Sequence, residues 1–530
     1  MMGLLLALAC QDPPQVEVEP AFRPLPAPRL LRRMSLDLRG ILPSAAELDA
    51  VEADPSQLDA LRDAWLEDPR FEDRLVDLVA ERWRTRLDTY LIYVEEYSAL
   101  RDDLSQEYDF DRSISDEPLR LIARVAAEGL PWSDVVTADW TMANPTMLSI
   151  WPVEATEDGE DWRKSRYTDG RPAAGVLSTN GLWIRYYTTN SNMNRGRAGV
   201  ISRLLLCEDI LNRPVSFAES QALSTVLGTE EALRSDPYCL GCHSSVDPLA
   251  SSLFGFFPLV EYSVDEVDTY HPEREGMGVD MLGVGPAYYG VPLRGLEDLG
   301  AHIAGDSRFS TCAVQTFAEL YWRRATTLTD APLLDSLHED FVAGESRLKP
   351  LIAAITDTEE YRAGALLPDD PSSDAVLVRL IGPQQAASMV EDLTGFRWTF
   401  QGFDMFNSDT YGYRVMMGGI DGLLVTRAQQ TPGLTWTMVW RSLSQAAASV
   451  AVEREQQGEA TLLDDIDLSG SPSEDQLAGL WWRLFAAHPT TAQLQALSSL
   501  HAEVSAADGP EAGWAAVVEA LLRDPLFTAY

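Results

Sequence analysis

Apolar side chains recur at three- and four-residue intervals along most of the 530-residue chain, the spacing that lines up one face of an α-helix. "LPSAAELDAVEADPSQLDALRDAWLEDPRF" shows it first. Ser44 stands three residues before Glu47, as in a capping box, and leucines follow at helical intervals. The unit returns at residues 330–361 and again from Pro489, where Thr490 and Gln493 take the capping-box positions. Each time a capped helix, a polar break and a second apolar helix end in Asp/Glu-x-x-aromatic or a near variant. "LYWRRA" and "LWWRLF" precede the second and third copies. This resembles a recurring helical hairpin, with spacing too irregular for a solenoid. Strand signals are few: "GLWIRYYTT" and "RVMMGGIDGLLVTR" are expected as short strands. The fold class expected is mainly α and multi-domain.

Breaks in the pattern suggest boundaries. The first 29 residues read as a leader and tether, "EATEDGEDWRKSRYTDG" (154–170) separates two helical stretches, and "LLPDDPSSD" (366–374) is a Pro/Asp/Ser linker. The leader, "MMGLLLALAC", carries a short apolar run from Gly3 to Ala9 and then Cys10, the pattern of a bacterial lipoprotein signal whose cysteine is lipidated. The run is too short to span a bilayer. The acidic, Pro-rich residues after it suit an extended tether. Export to the cell envelope, with a lipid anchor at Cys10 in the inner or outer membrane, is the expectation.

Charge narrows the partners. With 82 acidic against 41 basic residues, the net charge is −41. Such a surface repels phosphate backbones, so nucleic acid is not an expected partner. A protein partner with a basic surface would be the electrostatic complement.

Chemistry concentrates in "DPYCLGCHSSVDPLASSLFG". The chain holds five cysteines and six histidines, yet Cys239, Cys242 and His243 fall within five positions. Asp236-Pro237 reads as a helix start, since Asp caps and Pro fits the first turn. On that helix the two cysteines are i and i+3 and share a face, with His243 close to it. Two thioethers on porphyrin vinyl groups and an adjacent imidazole on the iron are what a c-type haem needs. Asp247-Pro248 reads as the start of a second helix, and Leu253, Phe254, Phe256 and Phe257 as an apolar wall for the haem. A structural zinc would need a fourth ligand from elsewhere. A thioredoxin-type disulfide would want an alternating strand–helix pattern.

For the opposite side of the iron the candidates are Met281, then Met277, both in the Gly-rich "REGMGVDMLGVGP". His271, His302 and Met193 are further options. Arg195 and Arg197 are candidates for neutralising haem propionates. The remaining cysteines, Cys207 and Cys312, would pair in an oxidising compartment, and two separate buried thiols are the alternative. A bridge closing a loop of about 105 residues is worth about 4.7 kcal/mol of chain entropy. No nucleotide-binding fingerprint occurs, and "GGIDG" (418–422) reads as a turn.

"RRMSLDLRGILPSAAEL" with "WLEDPRFEDRLVDLVAERW" resembles the opening of planctomycete-type cytochrome c proteins, multi-domain bacterial families of undefined biochemical role. "AGVLSTNGLWIRYYTTNSNMNRGRAGVISRLLLCEDI", the Cys-x-x-Cys-His segment with its Asp247-Pro248-Leu249, and "DSRFSTCAVQTFAELYWRRA" look like their later domains. The resemblance covers residues 30–365. It implies one covalent haem c and a cysteine pair at the Cys207 and Cys312 positions. The expected organisation is then a leader and tether (1–29), an N-terminal helical domain (30–155), a haem c domain with a following hairpin (170–365), and a C-terminal helical domain (375–530). The expected function is electron transfer by an exported monohaem lipoprotein to or from a redox partner protein. A peroxidase-like or other oxidative haem enzyme, and a binding module stapled by haem, are the alternatives.

Overall fold

The computed structural model describes residues 22–88, 90–97, 99–100, 106–212, 231–233, 235–366, 376–459, 462–464 and 466–530. Cys10, with the leader, and nearly all of the 366–374 linker lie outside them. Helices make up 59% of the described residues and strands 6%, so the fold is mainly α.

The capping signals hold. Ser44 caps the Ala45–Ala53 helix in a reciprocal box with Glu47, and Thr490 does the same with Gln493 ahead of Thr491–Asp508. The hairpins recur as Ala331–Ala343 with Leu348–Asp357, and Thr491–Asp508 with Pro510–Leu522.

Both expected strands are corrected. "GLWIRYYTT" begins in a helix, Asn180–Arg185, in which Gly181 through Ile184 are buried. A short apolar run has no periodicity to separate strand from helix, and packing on all sides selects the helix here. A Cβ at Gly181 would sit 2.2 Å from the Ile114 carbonyl, so the helix can approach its neighbour only through glycine. "RVMMGGIDGLLVTR" ends the short Tyr413–Met416 helix and then turns, with Gly418 and Gly422 at φ of +83° and +78°. The 154–170 stretch supplies strands: Arg163–Tyr167 pairs antiparallel with Thr141–Ala143 on one side and Val153–Ala155 on the other. A second ladder joins Phe22–Pro24 to Ala363–Leu366.

One apolar core runs from Leu30 to Tyr361, through both the 30–155 and the 170–365 spans. A second gathers residues from Leu380 to Tyr530. The helix Ala27–Leu38 lies between them: Leu30, Leu31, Met34 and Leu38 enter the first core and Leu36 the second. From Leu30 onward it is buried on every side, and the polar residues there are buried with it. Arg32 donates to the Leu484 and Phe527 carbonyls, and Arg33 to those of Tyr361, Ala363 and Leu377. Asp37 pairs with Arg379 and accepts from the hydroxyls of Tyr361 and Tyr530 at 3.0 and 2.7 Å. Burial pushes the Arg32 guanidinium down to about 9, which leaves it protonated at neutral pH. These residues fasten the two cores together.

Candidate functional site

The Cys-x-x-Cys-His segment lies on the helix Pro237–Ser251. It starts as expected: Asp236 is the N-cap and accepts from the Tyr238 amide at 2.8 Å. Its second half, with Val246, Leu249 and Ala250, is buried, while Cys239, Cys242 and His243 are partly exposed. Both thiols are free. The helix packs against Arg195–Leu205, the short helix Met277–Leu282, and the strand Ala287–Tyr288.

His243 has a carboxylate partner that sequence reading overlooked. Its Nδ1 lies 2.9 Å from Asp247 Oδ1, one turn along the same helix. Arg195 grips the same carboxylate, with Nε 2.7 Å from Oδ1 and Nη2 3.2 Å from Oδ2. Burial alone would raise the Asp247 carboxyl; the hydrogen bonds from His243 and Arg195 outweigh it and hold the group below its ordinary range. An ionised carboxylate only accepts, so in the neutral imidazole Nδ1 carries the proton and Nε2 presents its lone pair. Among the described residues Nε2 has no hydrogen-bond partner. The available signal was Asp at i+4 from His, masked by the reading of Asp247-Pro248 as a helix start. That reading is corrected: the helix runs through Pro248 to Ser251. Proline removes one N–H, but the Arg195 clamp on Asp247 and the burial of Leu249 and Ala250 keep the turn closed.

Other expected roles change as well. Leu253, Phe254, Phe256 and Phe257 lie within the core. Phe254 stacks on Phe257 with centroids 4.9 Å apart, and Phe256 meets Tyr270 edge-on at 4.9 Å. They anchor the end of the cysteine helix and do not form an open wall. Exposed apolar side chains come instead from the neighbouring segments: Val279, Val284, Tyr289 and Val291. Arg197 is buried and donates to the Trp183, Tyr186 and Phe256 carbonyls and to Asn194 Oδ1, so its guanidinium is engaged within the core and not at the surface. Arg195 is held by Asp247.

Met277 and Met281 share the helix Met277–Leu282, and both pack against the main core. That helix docks where a Cβ on Gly278 would stand 2.3 Å from Ser251 Oγ. Ser251 is eight residues past His243, about 12 Å along the helix axis. His271 keeps a buried Nε2 without a hydrogen-bond partner, and its Nδ1 lies 3.3 Å from Glu273. His302 stacks on Tyr288. Met193 takes a left-handed φ of 52° in the turn before Arg195.

Cys207 and Cys312 form a disulfide with their Cα atoms 5.2 Å apart. It closes a loop of 105 residues that contains the cysteine helix. Among the described residues no three His, Cys, Asp or Glu side chains converge as a metal shell. Burial, then the charge of Asp236, push the Cys239 thiol up. An attacking thioredoxin-type cysteine is shifted the other way. Comparison with known protein families, characterised proteins and solved structures returned no match.

Proposed function

We propose that the chain is an exported monohaem c-type cytochrome, a lipoprotein anchored through Cys10 that carries electrons at the cell envelope. The observation that carries this reading is a helix face with two free thiols one turn apart, beside an imidazole whose proton Asp247 confines to Nδ1. That donor set fits a covalent haem: Cys239 and Cys242 would supply the thioether sulfurs, and His243 Nε2 would hold the iron. A haem held there supplies one-electron redox chemistry. The chain's own work is orientation. Asp247 fixes the imidazole tautomer and its plane, and is itself fixed by Arg195.

Three further points support the reading. The Cys207–Cys312 bridge suits an oxidising compartment, where haem is attached to cysteine. The resemblance of residues 30–365 to planctomycete-type cytochrome c proteins points the same way. The net charge of −41 favours a redox partner with a basic docking face. No described helix is long and apolar enough to cross a membrane, so the anchor in this reading is the lipid at Cys10.

The test is a pyridine haemochrome spectrum, with haem staining on a denaturing gel, of full-length protein made alongside the haem-attachment machinery. One covalent haem per chain is expected, lost in Cys239→Ala with Cys242→Ala. Absence of covalent haem would sink the cytochrome reading and leave a helical binding module. A high-spin ferric spectrum that shifts on adding cyanide would move the assignment to a haem enzyme. A methionine-to-iron charge-transfer band lost in Met281→Ala but kept in Met277→Ala would assign the opposite ligand. No such band, with a low-spin spectrum, would direct attention to His271.

A further inference from the structure

An open groove of about 480 Å³ lies away from the cysteine helix, where the first core meets the 420–430 loop. Its lining is unusual for so acidic a chain. Six arginines (82, 84, 203, 323, 324 and 427) face three carboxylates, Glu81, Asp209 and Glu319, a surplus of three positive charges. Some are accounted for: Arg323 pairs with Glu81 at 3.3 Å, Arg324 with Asp330 at 2.7 Å, and Arg82 reaches Glu319 at 3.6 Å. Arg84, Arg203 and Arg427 have no carboxylate within 4 Å among the described residues.

We propose that this groove binds a phosphate-type dianion, with Arg84 and Arg203 as its principal donors and Arg82 and Arg427 beside them.

Four observations converge. First, like charges are held together with a carboxylate on Arg82 alone among the described residues: burial, then the charge of Arg203, followed by Arg82 and Arg185, push the Arg84 guanidinium down. Second, Arg82 Nε is buried with no hydrogen-bond partner, a charged donor left unsatisfied by the protein. Third, three groove residues take left-handed backbone angles, Arg84 (+51°) and Arg323 (+59°) as the C-caps of Pro69–Trp83 and Ser307–Trp322, and Cys207 (+53°) just past the end of Arg195–Leu205, so three chain reversals gather at this wall. Fourth, Arg203 is preset by its neighbours. It donates to the Tyr186 hydroxyl at 3.0 Å, and the Tyr186 ring lies under the Arg185 guanidinium at 4.5 Å. A guanidinium presents a planar fork that matches phosphate oxygens, and three uncompensated forks match a doubly charged anion better than a single carboxylate.

The competing explanation is that these arginines only complement the C-termini of the helices Pro69–Trp83, Arg195–Leu205 and Ser307–Trp322, which end at the groove. Two facts weigh against it. The Arg84 carbonyl is already capped by Arg185 Nε at 2.6 Å, and Arg427 stands on a loop with no helix end of its own.

The phosphate can belong to a free monoester or to a lipid headgroup, and two arms of one experiment separate them. Full-length protein is titrated calorimetrically with inorganic phosphate and glycerol phosphate at constant ionic strength. In parallel it is floated with phosphatidylcholine vesicles, with and without phosphatidic acid. Saturable binding in solution that chloride does not match is expected, weakened about tenfold by Arg84→Gln or Arg203→Gln. Flotation with phosphatidic acid alone, lost in the same variants, would equally support the site and name the headgroup as its source. Arg84 makes no side-chain hydrogen bond among the described residues, so its replacement leaves the fold intact, and circular dichroism checks this. Arg294→Gln, at an arginine 91% exposed and paired with Asp298, is the control that should bind like the parent. Binding no stronger than chloride in both arms, or binding indifferent to both substitutions, overturns the proposal and leaves the arginines as helix-end counter-charges. The outcome does not depend on whether haem is present.

Discussion

Asp37 and Asp247 are both carboxylates sunk into the protein and both gripped by arginine, yet they produce opposite results. Asp37 collects Arg379, Tyr361 and Tyr530, and each donor reaching it belongs to a side chain buried between the two cores. The arrangement is shut off from solvent: Arg379 keeps Nε and Nη2 without a hydrogen-bond partner, but its side chain has no exposure through which a ligand could reach them. Asp247 collects Arg195 and one nitrogen of His243, and the other nitrogen stays free on a helix face that also carries two free thiols. A buried carboxylate locks when all its partners are terminal donors. It prepares a site when one partner is a ring with a second, independent edge.

Breaking the closed arrangement should have the larger effect. Asp37→Ala leaves Arg379 charged and uncompensated at zero exposure, and is expected to cost about 3–5 kcal/mol in urea unfolding. A loss below about 1 kcal/mol would place the junction's strength elsewhere. Removing the bridge comes next. Cys207→Ser with Cys312→Ser should cost about 2–5 kcal/mol and leave the helix content by circular dichroism unchanged. A third buried carboxylate, Glu117, sharpens the contrast, because it collects the Tyr167 and Thr141 hydroxyls and the Gly181 amide but no direct arginine. Burial pushes it up to about 7, above an ordinary value of 4.5. The folded state therefore holds that proton more tightly than the unfolded chain. Its contribution is fully present below pH 4.5 and is lost as the pH rises to 7, at about 1.4 kcal/mol per pH unit. Glu117→Gln should flatten unfolding free energy against pH across that window; an unchanged slope would assign it to other groups. The smallest effect on stability is expected at the open site. Asp247→Ala should cost about 1–2 kcal/mol, yet weaken the hold of His243 on a loaded haem about 10–100-fold, read by titration with exogenous imidazole. Equal effects on stability and imidazole competition would erase the distinction between the two carboxylates.

What was legible in the chain follows the range of the interaction. Ser44 with Glu47, Thr490 with Gln493, and Asp236 with Pro237 are signals within a few residues, and each caps the helix expected of it. Cys207 with Cys312 was legible across 105 positions because disulfide chemistry leaves few possible partners. The Arg195–Asp247–His243 chain was half legible: Asp247 sits one turn from His243, but Arg195 arrives from another helix and shares no periodicity with it. The arginine groove was not legible at all, since residues 82, 203 and 427 meet only through tertiary packing. "GLWIRYYTT" failed for the opposite reason. Its local content suits a strand, and the close approach at Gly181 to the Ile114 carbonyl is a fact about a distant helix.

The guanidiniums of Arg32 and Arg33 reach across to Leu484, Phe527, Ala529, Tyr361, Ala363 and Leu377 by way of main-chain oxygens only. Every residue type supplies that oxygen. This part of the junction between the two cores is therefore written in the sequence on one side alone, unlike the Asp37–Arg379 and Asp37–Tyr530 contacts beside it. Substitutions among the six receiving residues leave these acceptors in place, so drift there is constrained by packing and not by recognition. The two arginines have no such latitude, because even lysine lacks the fork that spans two carbonyls at once. Around Arg32 and Arg33 the seam should thus tolerate extensive change in one partner while holding the other nearly still, whereas at Asp37, Arg379 and Tyr530 both partners are held.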